Sequence, residues 1–334
     1  MVWGCYQPER TFDSGYSNTI EGFDNNYGTV VWRKAGFSFQ APTQGSTQQQ
    51  EEDSTQTQQE SPTQQDVVFG VLDLDLLNGS GGVFFGLIKE TDRWIRPSFL
   101  GQTGYKSFCI DLTKNRIGSI SDNDINSSGN GNVNEGGASA SVNDTNNNAP
   151  PRLVLSKESM IGTGLWRGSE SRPLTSDQRR SELNRSVPLV RDLRTRYGAP
   201  VVHYTAKATK FVVNGMPLLI TPRKPLYVIF DSGVSGMVVS QELFDGRYLQ
   251  ARKTREKSLW GTVEVTFATT AGEEEITLRA QKPLATPLGK ATPWKGFRGN
   301  LIAIGLAFLD GLAMTIDVDD GRILFAKDND INNG

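Results

Sequence analysis

Short apolar runs separated by turn residues fill residues 200–326, and this pattern restricts the fold more than any other feature of the chain. Phe211-Val212-Val213, Leu218-Leu219-Ile220 and Leu226-Tyr227-Val228-Ile229-Phe230 are strand-like runs. Thr262-Val263-Glu264-Val265-Thr266-Phe267 and Glu275-Ile276-Thr277-Leu278-Arg279-Ala280 alternate polar and apolar side chains. A period of two sends successive side chains to opposite faces of a strand. Asn214-Gly215 and Ala271-Gly272 are turn dipeptides between such runs. Six or more strands at this spacing predict an all-β, mainly β fold, a barrel or a sandwich. Helix candidates within the block are 241–257 and 306–309.

The rest of the chain divides by composition. Residues 1–120 are β-rich, with Val30-Val31-Trp32, Val67-Val68-Phe69 and Val83-Phe84-Phe85 as apolar runs. An insert at 41–65 is almost wholly Gln, Thr, Ser and Glu, and residues 121–150 are an Asn/Ser/Gly linker. Neither tract has the apolar surface to offset the entropy of ordering it, so disorder is predicted for both. Residues 151–199 read as an Arg-rich helical connector. Thr175 followed by Gln178 forms a capping-box pattern, and Pro188 after Ser186 suggests a second helix start. The arginines (Arg172, Arg179, Arg180, Arg185, Arg191, Arg194 and Arg196) are interleaved with Asp177, Glu182 and Asp192, the pattern of a solvated face, the alternative being a contact with RNA, a membrane surface or an acidic partner.

Several functions are excluded early. Lys and Arg total 35 against 37 Asp and Glu, for a net charge of −2, and a DNA-coating protein would be basic. Two cysteines, Cys5 and Cys109, rule out a disulfide scaffold, and a single histidine, His203, leaves little for a zinc site. The longest apolar runs, such as 301–309, are about half the ~20 residues that span a bilayer. Residues 1–10 lack a basic flank followed by an apolar stretch, so no secretory signal is predicted and an intracellular location is favoured. The sequence carries no strong nucleic-acid or membrane signal.

One constellation carries chemistry. Asp231-Ser232-Gly233 follows the apolar run Val228-Ile229-Phe230 and precedes Met237-Val238-Val239. A carboxylate at the end of an apolar strand is costly unless it is used, and desolvation there would raise its pKa toward general acid–base work. About 70 residues on comes Leu301-Ile302-Ala303-Ile304-Gly305, then Phe308-Leu309, then Asp317, Arg322 and Phe325-Ala326. Together these segments resemble aspartic proteases, pepsin-like and retropepsin-like, over residues 200–327. The resemblance implies a closed β-barrel lobe in which the apolar-apolar-Gly strand crosses behind the catalytic loop. It implies an aspartic-type endopeptidase with Asp231 catalytic, Ser232 and Gly233 shaping the active-site loop, a polypeptide substrate, and neither cofactor nor metal.

That mechanism needs a second carboxylate. The resemblance allows it to come from an identical subunit in a homodimer or from a second lobe of the same chain. Phe12-Asp13-Ser14-Gly15 repeats the triplet, and Phe108-Cys109-Ile110-Asp111 followed by Arg116 parallels Met314-Thr315-Ile316-Asp317 followed by Arg322. Residues 1–120 are therefore a candidate degenerate first lobe. Asp13 lacks a preceding apolar strand, since Gln7-Pro8-Glu9-Arg10 is polar. Residues 257–261 with Trp260 are a candidate flap, or Trp260 is a core residue. The alternative reading of the whole is a catalytically inactive, protease-like binding or scaffold module.

Overall fold

The structure is a computed structural model that describes residues 11–23, 26–38, 64–72, 83–84, 86–89, 97–113, 152–167, 173–193, 204–246, 260–288, 297 and 299–327. The chain is mainly β, as the turn-punctuated apolar runs predict. The described strands form three sheets. The first is built from β1 (Phe12–Asp13), β2 (Thr19–Phe23), β3 (Asn26–Ser38), β4 (Gln64–Leu72) and β5 (Val83–Phe84) in the order β1-β3-β4-β5, with β2 also on β3. A short helix, α1 (Phe99–Thr103), follows. Ser98 caps it, and left-handed Gly104 ends it at φ 72°.

Next come β6 (Ser107–Asp111), β7 (Arg152–Ser156), helix α2 (Ser176–Arg185) and β8 (Val187–Pro188). The capping box of Thr175 and Gln178 starts α2. Instead of a second helix, Val187-Pro188 forms an edge strand. Ser186 ends α2 by bonding back to the Leu183 carbonyl through both its N–H and its hydroxyl. Pro188, which has no N–H to donate, then fits a sheet edge. Within residues 151–199 the stretch 152–156 is strand, which the arginine content concealed.

The C-terminal block supplies β9 (Thr205–Val213), β10 (Met216–Pro217), β11 (Leu226–Phe230), β12 (Met237–Ser240), β13 (Thr262–Ala268), β14 (Glu275–Gln281), β15 (Ala285–Leu288), β16 (Asn300–Ile304), β17 (Leu312–Asp317) and β18 (Arg322–Lys327). An eight-stranded sheet runs β14-β13-β9-β11-β16-β12-β15, with β10 on β9. It does not close. Instead of the barrel expected from the sequence, the described strands form an open sheet, in which β14 and β15 at the two ends each have a partner on one side only. Of the helix candidates, 241–246 is helical and Leu306–Phe308 is a single 3-10 turn.

The third sheet runs β7-β6-β17-β18-β8 and joins the two halves of the chain. Its register is two-fold symmetric. Ser107, Phe108, Cys109, Ile110 and Asp111 pair with Asp317, Ile316, Thr315, Met314 and Ala313. Exchanging each residue of β6 with the one 206 positions later in β17 (109 + 206 = 315) reproduces the same set of pairs. The exchange extends outward. Asp111 pairs with Arg152 as Asp317 pairs with Arg322, and Arg152-Leu-Val-Leu-Ser takes the place of Arg322-Ile-Leu-Phe-Ala. The counterpart of Arg322 is thus Arg152. Arg116, which spacing alone suggests, lies outside the described residues. The 112–151 connection separates the two strands of this hairpin in sequence and hides the repeat.

One hydrophobic core spans both halves. Leu100 and Phe108 from the first pack with Phe211, Phe267, Ile302, Phe308, Met314 and Ile323 from the second. Burying a side chain of this size contributes about 1.5–3 kcal/mol, so this shared core is what fixes the third sheet against the eight-stranded one.

Candidate active site

β11 is buried along most of its length, but the chain surfaces at Asp231, whose side chain is exposed. The sequence predicted a desolvated carboxylate. The burial stops one residue earlier, at Phe230, because the loop turns there. Val234 donates its N–H to the Asp231 carbonyl at 3.1 Å, closing a tight turn, and Gly233 donates to Asp231 Oδ1 at 2.9 Å. The carboxylate therefore has one oxygen tied to its own loop. Ser232 is half-buried beside it.

What holds this loop is β16. Residues 231–236 join β11 to β12, and β16 lies between those two strands, parallel to β11 and antiparallel to β12. The Asp231 N–H donates to the Ile304 carbonyl at 3.0 Å. Past the end of β16 the N–H groups of Gly305, Leu306 and Ala307 donate to the carbonyls of Gly236, Val234 and Ser235 at 2.8–2.9 Å. Three successive donors thus satisfy three carbonyls of the loop, leaving few of its backbone groups free to move. Contact is so close that a Cβ on Gly305 would stand 1.7 Å from the Val234 oxygen. Glycine is required there by proximity, since its φ of −116° is open to any residue. The other arm is equally tight, with Gly236 against the Leu284 carbonyl.

The second triplet shares one hydrogen bond with this loop but turns differently, with Gly15 at φ 75° where Gly233 is not at positive φ, and with the Tyr16 N–H on Ser14 Oγ rather than on the Asp13 carbonyl. Gly15 donates its N–H to Asp13 Oδ1 at 2.9 Å, as Gly233 does to Asp231. Ser14 donates its hydroxyl to the Trp32 carbonyl at 2.6 Å, and Asp13 is exposed. The support differs. β1 pairs only with β3, Asp13 opposite Arg33, and no third strand passes behind the turn among the described residues. No hydrogen bond joins Asp13 to Asp231 among the described residues.

Other candidates resolve differently. Trp260 is buried and packs on Phe244, with ring centroids 6.4 Å apart, while residues 257–259 of the candidate flap lie outside the described residues. Trp260 also lines, with Phe211, Met216, Leu243 and Gly246, a cavity of about 340 Å³ that includes none of residues 231–236. Cys5 and His203 lie outside the described residues. Asp319 sits in the 318–321 turn and accepts from Lys89 Nζ at 2.6 Å. Among the described residues no cluster of His, Cys, Asp and Glu could hold a metal ion, and no helix is long and apolar enough to cross a membrane.

Three carboxylates, Asp111, Glu182 and Asp317, are buried. Asp317 accepts from the backbone of Met160 at 2.9 Å and of Ile161 at 3.1 Å, and from the Ser159 hydroxyl. Burial pushes its carboxyl above the usual range, and these donors offset that only in part. For Asp111 burial also pushes upward, but hydrogen bonds from Thr113 and Arg152 outweigh it and hold the group below the usual range. In α2, Glu182 accepts from the Gly162 N–H at 2.8 Å and Trp166 Nε1 at 3.1 Å. Charge runs in the sequence give no sign of such inward-facing acids. Several arginines of the connector likewise have fixed partners: Arg152 bonds Asp111, and Arg191 donates to the Val318 and Asp319 carbonyls.

No protein-family model matches the chain, and no curated protein sequence matches it.

Proposed function

We propose that the chain is an aspartic-type endopeptidase, with residues 200–327 forming an aspartic-protease-like lobe and Asp231 one of two catalytic carboxylates. The observation that carries this reading is the Asp231 loop with β16 threaded between its two arms. That arrangement fixes a carboxylate at the surface while its backbone stays rigid, which pre-organisation for catalysis requires. The second carboxylate comes from Asp13 or from an identical subunit. The symmetry of the third sheet and the glycine N–H to aspartate bond common to Asp13 and Asp231 support a second half-site within one chain.

In this reading the two carboxylates hold one proton between them. The ionised one takes a proton from water as the water oxygen bonds to the scissile carbonyl carbon. The protonated one gives its proton to the carbonyl oxygen, and the C–N bond then breaks as the nitrogen is protonated. Ser232 and Gly233 shape the loop, and the substrate is an extended polypeptide.

A second reading has its own support. Asp231 is exposed, and among the described residues no second carboxylate hydrogen-bonds to it, as suits a binding module that retains the loop without turnover. One experiment separates the two. The full chain is incubated with an unfolded polypeptide between pH 3 and 8, beside Asp231→Asn and Asp13→Asn. The peptidase reading expects cleavage that either substitution abolishes. Cleavage lost with Asp231→Asn but kept with Asp13→Asn assigns the second carboxylate to an identical subunit. Absence of cleavage at every pH leaves the binding module.

A further inference from the structure

The symmetry of the third sheet leaves one strand without a counterpart. β18 carries β8 on its outer edge, where Ile323 pairs with Val187 and Arg322 with Pro188. Ile323 and Val187 are both fully buried in the common core. Under the exchange that relates β6 to β17, β18 corresponds to β7, Ile323 to Leu153 and Arg322 to Arg152. Yet β7 ends the sheet, no strand pairs with its outer edge among the described residues, and Leu153 is 50% exposed.

An uncovered edge presents a row of N–H and C=O groups to any extended chain, and proteins commonly guard such edges with charge, proline or a bulge. Within 152–156 there is no proline and no bulge. β7 is the unbroken segment Arg152-Leu153-Val154-Leu155-Ser156, paired residue for residue with β6. Its one charge is already paired, the partly exposed Arg152 guanidinium bonding Asp111 Oδ2 across the strand pair.

We propose that the outer edge of β7 is a docking site for an extended apolar polypeptide segment, which adds a strand beside Arg152 and Leu153 as β8 does beside Arg322 and Ile323. The chain itself holds the template for the ligand. Val187 shows that the residue opposite Leu153 is apolar and of valine size, and Pro188 shows that the residue opposite Arg152 need not donate an N–H. Backbone hydrogen bonds supply the affinity and the apolar contact supplies the selectivity. The site stands independently of the peptidase reading.

The test uses the full chain and a fluorescent synthetic peptide of residues 184–190, Asn-Arg-Ser-Val-Pro-Leu-Val. Anisotropy follows binding, and hydrogen exchange follows the β7 amides. The proposal expects saturable binding, slowed exchange at residues 152–156, and affinity about tenfold weaker or worse for Leu153→Asp and for a peptide bearing Val187→Asp. Leu153 is exposed, so Leu153→Asp keeps the denaturation midpoint of the parent chain. Absence of saturable binding, or equal binding by the Leu153→Asp chain, overturns the proposal. Protection of β7 that grows with chain concentration in the absence of peptide also overturns it, and assigns the edge to a second copy.

Discussion

Cys109 stands opposite Thr315 at the centre of the β6–β17 pair, and every pairing on one side of that point recurs on the other with the strands exchanged. Both residues are buried. Burial pushes the Cys109 thiol up to about 12, against a hydrogen bond with Thr315 that lowers it. The thiolate is the nucleophile, so at pH 8 this group is inert while the sheet is intact. In a Cys5→Ser background, a thiol-disulfide reagent should modify Cys109 only as fast as the protein unfolds. Rapid modification of the native protein would contradict the central position of β6.

The two related acids titrate in opposite directions. Asp111 is held below its ordinary 3.8, so its contribution to stability is present above that pH and is lost as pH falls through the lowered value. Asp111→Asn should cost about 1.5–3 kcal/mol at pH 7, the range for hydrogen bonds to a charged group, and progressively less below pH ~3.8. Asp317 is raised, so its contribution is complete below its ordinary value and is lost as pH rises through the raised one. Relative to Asp317→Asn, the wild type should therefore gain stability on acidification. Urea denaturation at pH 3, 5 and 7 reads both slopes.

Gly305 is the position where one carbon matters most. Its Cβ would stand 1.7 Å from a backbone oxygen of the Asp231 loop, and backbone cannot yield as a side chain can. Gly305→Ala should destabilise by about 3 kcal/mol or more and abolish any peptidase activity. Gly246→Ala, at a site with nothing within 4 Å, should stay within about 0.5 kcal/mol of the wild type. Equal denaturation midpoints for the two variants would refute the threaded-strand account.

Glu182 holds α2 to the 159–167 segment with two oxygens that face two different donors. Glu182→Gln keeps one acceptor and turns the other position into a donor. The mismatch should cost about 1–3 kcal/mol, and the fluorescence of buried Trp166 should change with it. A silent substitution by both measures would show that the contacts with Gly162 and Trp166 are dispensable.

How much of this was legible in the sequence varies by residue. The strands of the C-terminal block were readable because their apolar runs end at Asn214-Gly215 and Ala271-Gly272, where Asn214, Gly215 and Gly272 take the positive φ that the turns require. The capping box at Thr175 was readable because its bonds are local. Closure of the sheet was not, since it depends on how the end strands β14 and β15 are placed in space. Nor was the partner of Asp111. A cross-strand pair depends on register, and the nearest arginine in sequence, Arg116, is not the one opposite it. The exposure of Asp231 was missed for a related reason. Hydrophobic pattern describes the strand that precedes a residue, while the burial of its side chain is set by the loop that follows.

The related hairpins differ most in how their strands are joined. Residues 318–321 suffice between β17 and β18, whereas 112–151 span the same gap between β6 and β7. Loop-closure cost rises only about 0.6 kcal/mol with each doubling of length. The sheet thus tolerates large cargo at that tip, and natural drift or an engineer grafting a reporter domain could use the position with little effect on the strands beneath.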